Sequence, residues 1–277
     1  MNPLSQGWLL WHSYSAYTAN DSRLFLRAPD GTITEITGNF RHAMNGSFGR
    51  FPHDIAFMAM DDDSDAWNLW LYNAITRKSV NLTEHSGFQC EDPKFSPDGQ
   101  KIIFKRSRKN CFQLEELDLQ TGQVTLLTDD SSEKSMPYYS PDGQWIYFSE
   151  ARAIKRINIS SQNVETIYSE TGVNAYYPIC SGTKLYFIKQ ISPQNPRDCI
   201  MQYDGTNLFF CAFDSPDFDC SDPCPVNANS MIYSSTKNGN YDLYYFNGMQ
   251  SIPLKELNSD KNDLGACFYP LKGKISS

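Results

Sequence analysis

The chain has 277 residues, of which 40% are hydrophobic and 14% aromatic, so it can bury a sizeable core. Its formal net charge of −8 argues against a nucleic-acid partner, because affinity for phosphate backbones comes from clustered Lys and Arg. No stretch reaches the roughly 20 apolar residues that cross a bilayer, and the start does not resemble a signal peptide. We therefore expect no membrane insertion and a cytoplasmic protein, or a periplasmic or extracellular one if a signal peptide was removed.

The first predicted elements are three strands within residues 7–38, which are rich in aromatic and branched side chains. The next set of strands contains an acidic run, with Asp61, Asp63 and Asp65 at alternate positions like the start of a calcium loop. Ala66 stands where such a loop needs glycine, so we predict a solvated turn. We expect no cofactor and no metal site, with a bound divalent cation as the alternative.

The most regular segment, residues 81–129, contains the sequence SPDGQ followed by the apolar run KIIF. The proline of this sequence presets φ, and the glycine supplies the positive φ of a tight turn. Four short strands in about 45 residues match one blade of a β-propeller. SPDGQ recurs at residues 140–144 before WIYF, and weaker copies of the unit follow at 175–213 and 222–257.

The two ends of the chain complete each other. Residues 265–274 have the pattern of a first strand with nothing after it, whereas residues 7–38 supply the second, third and fourth strands of a blade. Pairing the tail with the N-terminal strands would close a ring and leave no long exposed edge. The chain accommodates six such units at roughly 46 residues each. Because every unit consists of strands, the sequence predicts an all-β fold. This fold is one six-bladed propeller of four-stranded antiparallel blades, with residues 1–277 as a single domain.

Two segments of the chain resemble a known repeat. LTEHSGFQCEDPKFSPDGQKIIF and LTDDSSEKSMPYYSPDGQWIYF resemble the repeat of TolB-type, WD-like β-propellers, whose core is P-x-[FWY]-S-P-D-G. The resemblance implies the fold over nearly the whole chain but no particular activity. Members include periplasmic protein-docking propellers, propeller domains of serine peptidases, and oligogalacturonate lyases, which use a metal held by histidines. We expect neither a hydrolase domain, since no G-x-S-x-G elbow is present, nor TolB's additional N-terminal domain.

The predicted function is that of a monomeric, non-catalytic binding propeller. It would present its channel mouth to a protein partner, an oligosaccharide or another small polar ligand. The alternative is a carbohydrate-active enzyme, a polysaccharide lyase or glycoside hydrolase, with its site in the central channel. The connections that lead into each first strand ring the predicted mouth, and they are the default binding surface. The candidate residues in them are Arg41, His42, His85, Gln89, Glu91, Asp92, Asn174, Tyr176 and Asp222.

Two sets of residues keep a structural alternative. Asp92 and Asp222 occupy matching positions of the repeat, so each could instead form a hydrogen bond to the backbone of a neighbouring blade. The eight cysteines include no C-x-x-C pair and have mostly apolar neighbours, which favours buried free thiols. Cys220 and Cys224 are the closest pair, and a disulfide between them is the alternative.

Overall fold

The computed structural model describes residues 3–62, 65–84, 87–108 and 111–271 of the chain. Within these residues, 24 strands form six four-stranded antiparallel sheets. The helical segments described are two short 3-10 turns, Pro3–Gln6 and Tyr17–Ala19. The predicted all-β, six-bladed propeller is therefore confirmed.

The strands follow one another blade by blade along the chain. Blade 1 begins with β1 (Gly7–Tyr14), β2 (Arg23–Arg27) and β3 (Ile33–Glu35). Blade 2 contains β4 (His42–Phe48), β5 (Asp54–Met60), β6 (Asn68–Asn73) and β7 (Lys78–Asn81). Blade 3 contains β8 (Cys90–Phe95), β9 (Lys101–Arg108), β10 (Cys111–Asp118) and β11 (Val124–Leu126). Blade 4 contains β12 (Lys134–Tyr139), β13 (Trp145–Glu150), β14 (Ala153–Asn158) and β15 (Val164–Tyr168).

The last two blades and the closing strand complete the ring. Blade 5 contains β16 (Ala175–Ser181), β17 (Lys184–Gln190), β18 (Asp198–Tyr203) and β19 (Leu208–Phe210). Blade 6 contains β20 (Cys220–Asn227), β21 (Ser230–Ser235), β22 (Asp242–Phe246) and β23 (Ser251–Pro253). The final strand, β24 (Asn262–Pro270), pairs antiparallel with β1 and becomes the first strand of blade 1. This is the predicted closure.

The first strands of the blades surround the central axis. Each of β4, β8, β12, β16, β20 and β24 contacts the first strand of the next blade, and β24 contacts β4 to complete the circle. Between neighbouring blades lie six clusters of buried apolar side chains. One of them packs Phe104 of blade 3 against Leu69 of blade 2. Burying a side chain of this size contributes about 1.5–3 kcal/mol to folding. Because the buried clusters lie between blades, the stability of each blade depends on its neighbours.

The repeated SPDGQ turns join the first and second strands of blades 3 and 4. In blade 3 the Ser96 hydroxyl donates to Asp98 Oδ1 at 2.6 Å, and the Gln100 amide donates to the same oxygen at 3.0 Å. The second copy repeats both bonds through Asp142. Gly99 has φ +72°, and a Cβ there would lie 2.6 Å from the Arg50 Cβ of blade 2. The turn therefore needs glycine at this position, because the backbone has a positive φ and because blade 2 leaves no space for a side chain.

A β-bulge interrupts every first strand at the same place. One residue in each adopts positive φ, between +49° and +64°, where the pairing register with the second strand shifts. These bulge residues are Asn45, Asp92, Met136, Tyr177, Asp222 and Gly265. Proline follows the bulge residue in blades 3, 4, 5 and 6, which suits a position without a ladder hydrogen bond. The bulges re-aim the side chains that line the channel.

Candidate functional site

The central channel has two chemically different ends. At one end lie the connections that enter the first strands, together with the connections from second to third strands. We call this end the upper mouth. Its polar and aromatic residues are Tyr14, Tyr17, Glu91, Asp92, Lys105, Tyr176, Asp198, Asp222 and Tyr241. At the opposite end, the first strands pass into the turns that lead to the second strands.

Asp92 and Asp222 each join neighbouring blades at the upper mouth. Asp92 accepts a hydrogen bond from Asn45 Nδ2 of blade 2 at 2.7 Å and one from the Met136 amide of blade 4 at 3.3 Å. Asp222 of blade 6 accepts from the Gly265 amide of blade 1 at 3.2 Å. Both carboxylates therefore make the predicted structural bonds to the backbone of an adjacent blade.

Glu91 and Asp92 share one cation. Lys105 Nζ lies 3.0 Å from Glu91 Oε2 and 3.5 Å from Asp92 Oδ2, with all three side chains largely buried. Lys105 also lies over the Phe112 ring, 4.6 Å from its centroid. Burial raises the pKa of Glu91, and Lys105 opposes that rise. The blade 3 sector of the mouth is thus a compact cluster of two carboxylates around one lysine.

On the opposite side of the mouth, tyrosines gather around two desolvated carboxyls. Tyr176 of blade 5 donates its hydroxyl to Asp198 Oδ2 of the same blade. Burial raises the pKa of Asp198 to about 6, and the bond from Tyr176 opposes that rise. Burial also raises the pKa of Asp222 to about 6, against the bond from the Gly265 amide. Both carboxyls thus titrate within reach of neutral pH.

Further tyrosines reach this sector from blades 1 and 6. The pKa of Tyr14 is raised to about 12 by burial and then by the charge of Asp222. The pKa of Tyr241 is also raised, by burial and then by the negative charges that include Asp198 and Asp222. Tyr17 stands beside the blade 3 cluster and is 62% exposed. Phenol rings and carboxylates from several blades therefore converge at this end.

Three other predicted residues, Gln89, Asn174 and Arg41, make local contacts away from the channel. Gln89 Oε1 accepts from the Trp67 amide of blade 2 at 2.7 Å. The backbone N–H of Asn174 donates to Gln190 Oε1 of its own blade at 3.2 Å. Arg41 pairs with the exposed Asp65 at 2.7 Å. His85 lies outside the described residues, as does Asp63 of the acidic run.

His42 is buried between blades 1 and 2 rather than facing an open mouth. It is 1% exposed, and its Nδ1 accepts from the Ser22 amide of blade 1 at 3.1 Å. Its ring packs against Trp67, with 4.6 Å between the ring centroids. Burial lowers the pKa of His42 to about 4, so the ring stays neutral near pH 7. We therefore leave His42 out of the proposed site.

The other end of the channel holds a cavity of about 330 Å³, which we call the lower chamber. The side chains two positions after each bulge all line it, and they are Ser47, Lys94, Tyr138, Ile179, Cys224 and Cys267. Tyr177, a bulge residue, also reaches it. Pro97 and Pro141 of the SPDGQ turns line it as well. The sequence did not suggest this site, because attention to the connecting loops points to the upper mouth alone.

Asp198 and Tyr241 of the upper mouth were also missed by sequence reasoning. Asp198 is the first residue of a third strand and Tyr241 immediately precedes another, and the approach of Asp198 to Asp222 depends on how two blades pack. The sequence does contain a signal for the lower chamber. In four blades a proline follows the bulge residue of the first strand, and the residue after that proline lines the chamber, as Lys94 and Tyr138 do.

Several general features of the chain bear on its chemistry. All eight cysteines lie within the described residues and are free thiols, so the predicted alternative of a disulfide between Cys220 and Cys224 is wrong. In the part of the chain that the structure describes, no group of three or more His, Cys, Asp or Glu side chains could hold a metal ion. Across the same residues, no helix is long and apolar enough to cross a bilayer.

The sequence relatives give no family assignment. No protein-family model matches the chain. The uncharacterized protein Atu1656 of Agrobacterium fabrum is 31% identical over 126 residues, which make up 41% of this chain and 43% of that protein. The match thus spans less than half the length of the curated relative.

Solved structures share the fold at low sequence identity. TolB from Acinetobacter baumannii matches with a TM-score of 0.76 at 18% identity, over 96% of this chain and 67% of that one. Kuenenia stuttgartiensis hydrazine synthase matches with 0.79 at 15% identity, over 95% and 46%. Oligogalacturonate lyase from Vibrio parahaemolyticus matches with 0.55 at 15% identity, over 90% and 73%. These likenesses show the fold alone, which both a TolB propeller and enzymes adopt.

Proposed function

We propose that the chain is a TolB-type propeller that binds rather than catalyses. Its upper mouth would receive a protein partner or a small polar ligand that carries a positive charge. The convergence of Tyr14, Tyr176 and Tyr241 on Asp198 and Asp222 carries this proposal. These five side chains come from blades 1, 5 and 6, and no blade alone could assemble them.

The electrostatics of these carboxyls favour a cationic group. Burial raises the pKa values of Asp198 and Asp222, which means that their charged forms lack full solvation. A ligand ammonium or guanidinium would supply the missing counter-charge. Tyrosine rings add faces on which cations or sugar rings can stack, at about 0.5–2 kcal/mol for a cation. An anionic ligand would meet repulsion instead.

The same groups are held in place before any ligand arrives. Asp222 is fixed by the Gly265 amide, and Asp198 by the Tyr176 hydroxyl. Both bonds use rigid strands rather than long loops. Preorganised groups of this kind lower the conformational entropy lost on binding. This rigidity supports recognition as the role of the upper mouth.

A carbohydrate-active enzyme is the second candidate, and the Tyr176–Asp198 pair is the observation that favours it. A carboxyl with a pKa of about 6 can act as a general acid or base near neutral pH. The test is incubation with oligogalacturonate, followed by ultraviolet detection of an unsaturated product. Product formed by the wild type and lost in Asp198→Asn would favour the enzyme over the binding propeller.

The binding proposal is tested by calorimetric titration with spermidine and trilysine, using triglutamate as the acidic control. We expect the two cationic probes to bind and triglutamate not to bind. Affinity should fall with added salt and as the pH drops through about 6, because protonation removes the negative charges. Asp198→Asn should weaken binding about tenfold, whereas Asp260→Asn at an exposed position should not. Equal binding of triglutamate, or no effect of Asp198→Asn, would contradict the proposal.

The remaining properties follow as parts of the same proposal. We infer a monomer that needs no cofactor and does not bind nucleic acid. Eight free cysteines suit a reducing compartment, which favours the cytoplasm over the periplasm or the cell exterior. Light scattering of the purified protein tests the monomer, metal analysis tests the absence of a metal cofactor, and fractionation of cells tests the location. A gel-shift assay with DNA and RNA tests the absence of nucleic-acid binding.

A further inference from the structure

The lower chamber contains three hydrogen-bond donors that the protein itself does not use. Lys94 Nζ forms no ion pair and no hydrogen bond within the described residues. The hydroxyls of Tyr138 and Tyr177 likewise make no hydrogen bond to any described residue. All three side chains line the same cavity of about 330 Å³. These three polar groups are therefore available to a ligand that enters the chamber.

Lys94 lines the lower chamber and also the part of the channel that contains Asp92, and its positive charge opposes the rise in the pKa of Asp222. Its Nζ lies 6.0 Å from the centroid of the Tyr177 ring, and it lines the channel between Asp92 and Ile179. The neighbouring ring positions carry neutral side chains, namely Ser47 and Tyr138. Burial raises the pKa values of Tyr138 and Tyr177, so both hydroxyls stay protonated and can donate. The chamber is therefore a donor-rich site with one positive charge.

We propose that the lower chamber binds a monocarboxylate, with its carboxyl group between Lys94, Tyr138 and Tyr177 and its apolar body against the chamber wall. One cation and two hydroxyl donors match the charge and the acceptor oxygens of a single carboxylate. The wall is formed in part by Ile179, Pro225 and Phe268. This site is separate from the cationic ligand site of the upper mouth and stands without it.

The size of the chamber restricts the ligand. Small-molecule sites begin at about 300 Å³, so the chamber accommodates a group no larger than an aryl or branched alkyl chain. Such a carboxylate has two sources, a free organic acid or the C-terminal end of a polypeptide. The shared chemistry is a carboxyl group on an apolar body, and suitable probes distinguish the sources.

The test compares matched probes by calorimetry and thermal shift on the full chain. The free-acid arm uses phenylbutyrate, with phenylbutanol as the uncharged isostere. The chain-end arm uses acetyl-Gly-Phe with a free carboxyl group, and the same peptide as its amide. We expect the carboxylate of at least one arm to bind and to raise the melting temperature, and its uncharged counterpart to bind at least about tenfold more weakly. The arm that binds more tightly identifies the source.

Variants assign the binding to the chamber. Lys94→Met should weaken the carboxylate about tenfold or more, and Lys94→Arg should restore most of the affinity. Tyr138→Phe and Tyr177→Phe should each weaken it roughly threefold to tenfold. Lys78→Met removes the same charge from an exposed outer strand and should have no effect.

Three results would overturn the proposal. They are equal binding of a carboxylate and its uncharged counterpart, wild-type affinity in Lys94→Met, and no binding of either carboxylate at millimolar concentration. The comparison of charged and uncharged probes uses the wild-type protein, so it remains decisive if a variant fails to fold.

Discussion

Asp92 and Lys94 lie two residues apart on β8 and serve the two ends of one channel. The Asp92 carboxylate is fully engaged by Asn45, the Met136 amide and Lys105. Lys94 has a tyrosine ring at 6.0 Å and no hydrogen-bonding partner in the described part of the chain. The bulge at Asp92 separates these two environments, because it turns the following side chains toward the lower chamber.

The difference separates structural charges from charges available to a ligand. A charge whose hydrogen bonds join two blades contributes to stability, and its loss should be measured in unfolding. A charge without such bonds contributes little to the free energy of unfolding or lowers it, and its removal should instead change the affinity for a ligand. Four charged side chains of the channel can be ranked by the hydrogen bonds and ion pairs that they make within the protein. From the most to the fewest, the order is Asp92, Asp222, Asp198 and Lys94.

The largest expected effect is that of Asp92→Ala. This change removes the bonds to Asn45 and to the Met136 amide, and it places alanine at φ +56°. We expect the free energy of unfolding to fall by about 3–5 kcal/mol, measured by urea denaturation. Asp260→Ala, at an exposed position, should leave stability nearly unchanged. A loss below about 1 kcal/mol for Asp92→Ala would show that its bonds do not hold the blades together.

Asp222→Ala should have a smaller effect. It removes one backbone bond, that from the Gly265 amide which helps to close the ring between blades 6 and 1. We expect a loss of about 1–3 kcal/mol in the same denaturation experiment. Asp222→Asn keeps an acceptor oxygen and should recover part of that loss. Equal losses in the two variants would argue against this hydrogen bond as the cause.

Asp198→Asn tests the pH dependence at the upper mouth. The folded-state pKa of Asp198, about 6, exceeds its unfolded value near 4. Its contribution to stability is therefore fully present below pH 4 and is lost as the pH rises to about 6. Relative to the wild type, Asp198→Asn should gain about 1–2 kcal/mol between pH 4 and pH 7. Parallel stability curves for the two proteins over this range would contradict the assignment.

Lys94→Met should have the smallest effect on folding. The side chain keeps its length and apolar contacts and loses an unpaired, half-buried charge. We expect the melting temperature to stay the same or to rise by about 1–3 °C in calorimetric scans. A marked fall would mean that Lys94 stabilises the fold and would remove the contrast with Asp92.

Much of the fold could be predicted from the sequence, because its signals are local. The SPDGQ turns specify the link between first and second strands through Ser96, Asp98 and Gly99. Closure could also be predicted, since residues 265–274 and 7–38 are each an incomplete blade. These features depend on turn geometry and strand counting, which neighbouring residues determine.

The candidate site could be predicted only in part. Tyr176 and Asp222 were identified from their place in the connecting segments, and the structure brings both near Asp198. Asp198 belongs to a different strand, so its position depends on packing that the sequence does not display. Lys94 was missed because it lies on a first strand after the bulge at Asp92, whereas the sequence analysis took its candidates from the connecting loops.

The most direct test of two separate sites is a double titration of the wild-type protein. Phenylbutyrate is titrated before and after saturation with spermidine, and the experiment is repeated on Lys94→Met and Asp198→Asn. We expect the affinity for phenylbutyrate to be the same with and without spermidine, Lys94→Met to lose the acid alone, and Asp198→Asn to weaken spermidine alone. Displacement of one ligand by the other, or loss of both in a single variant, would contradict the division of the channel into an upper mouth for cations and a lower chamber for carboxylates.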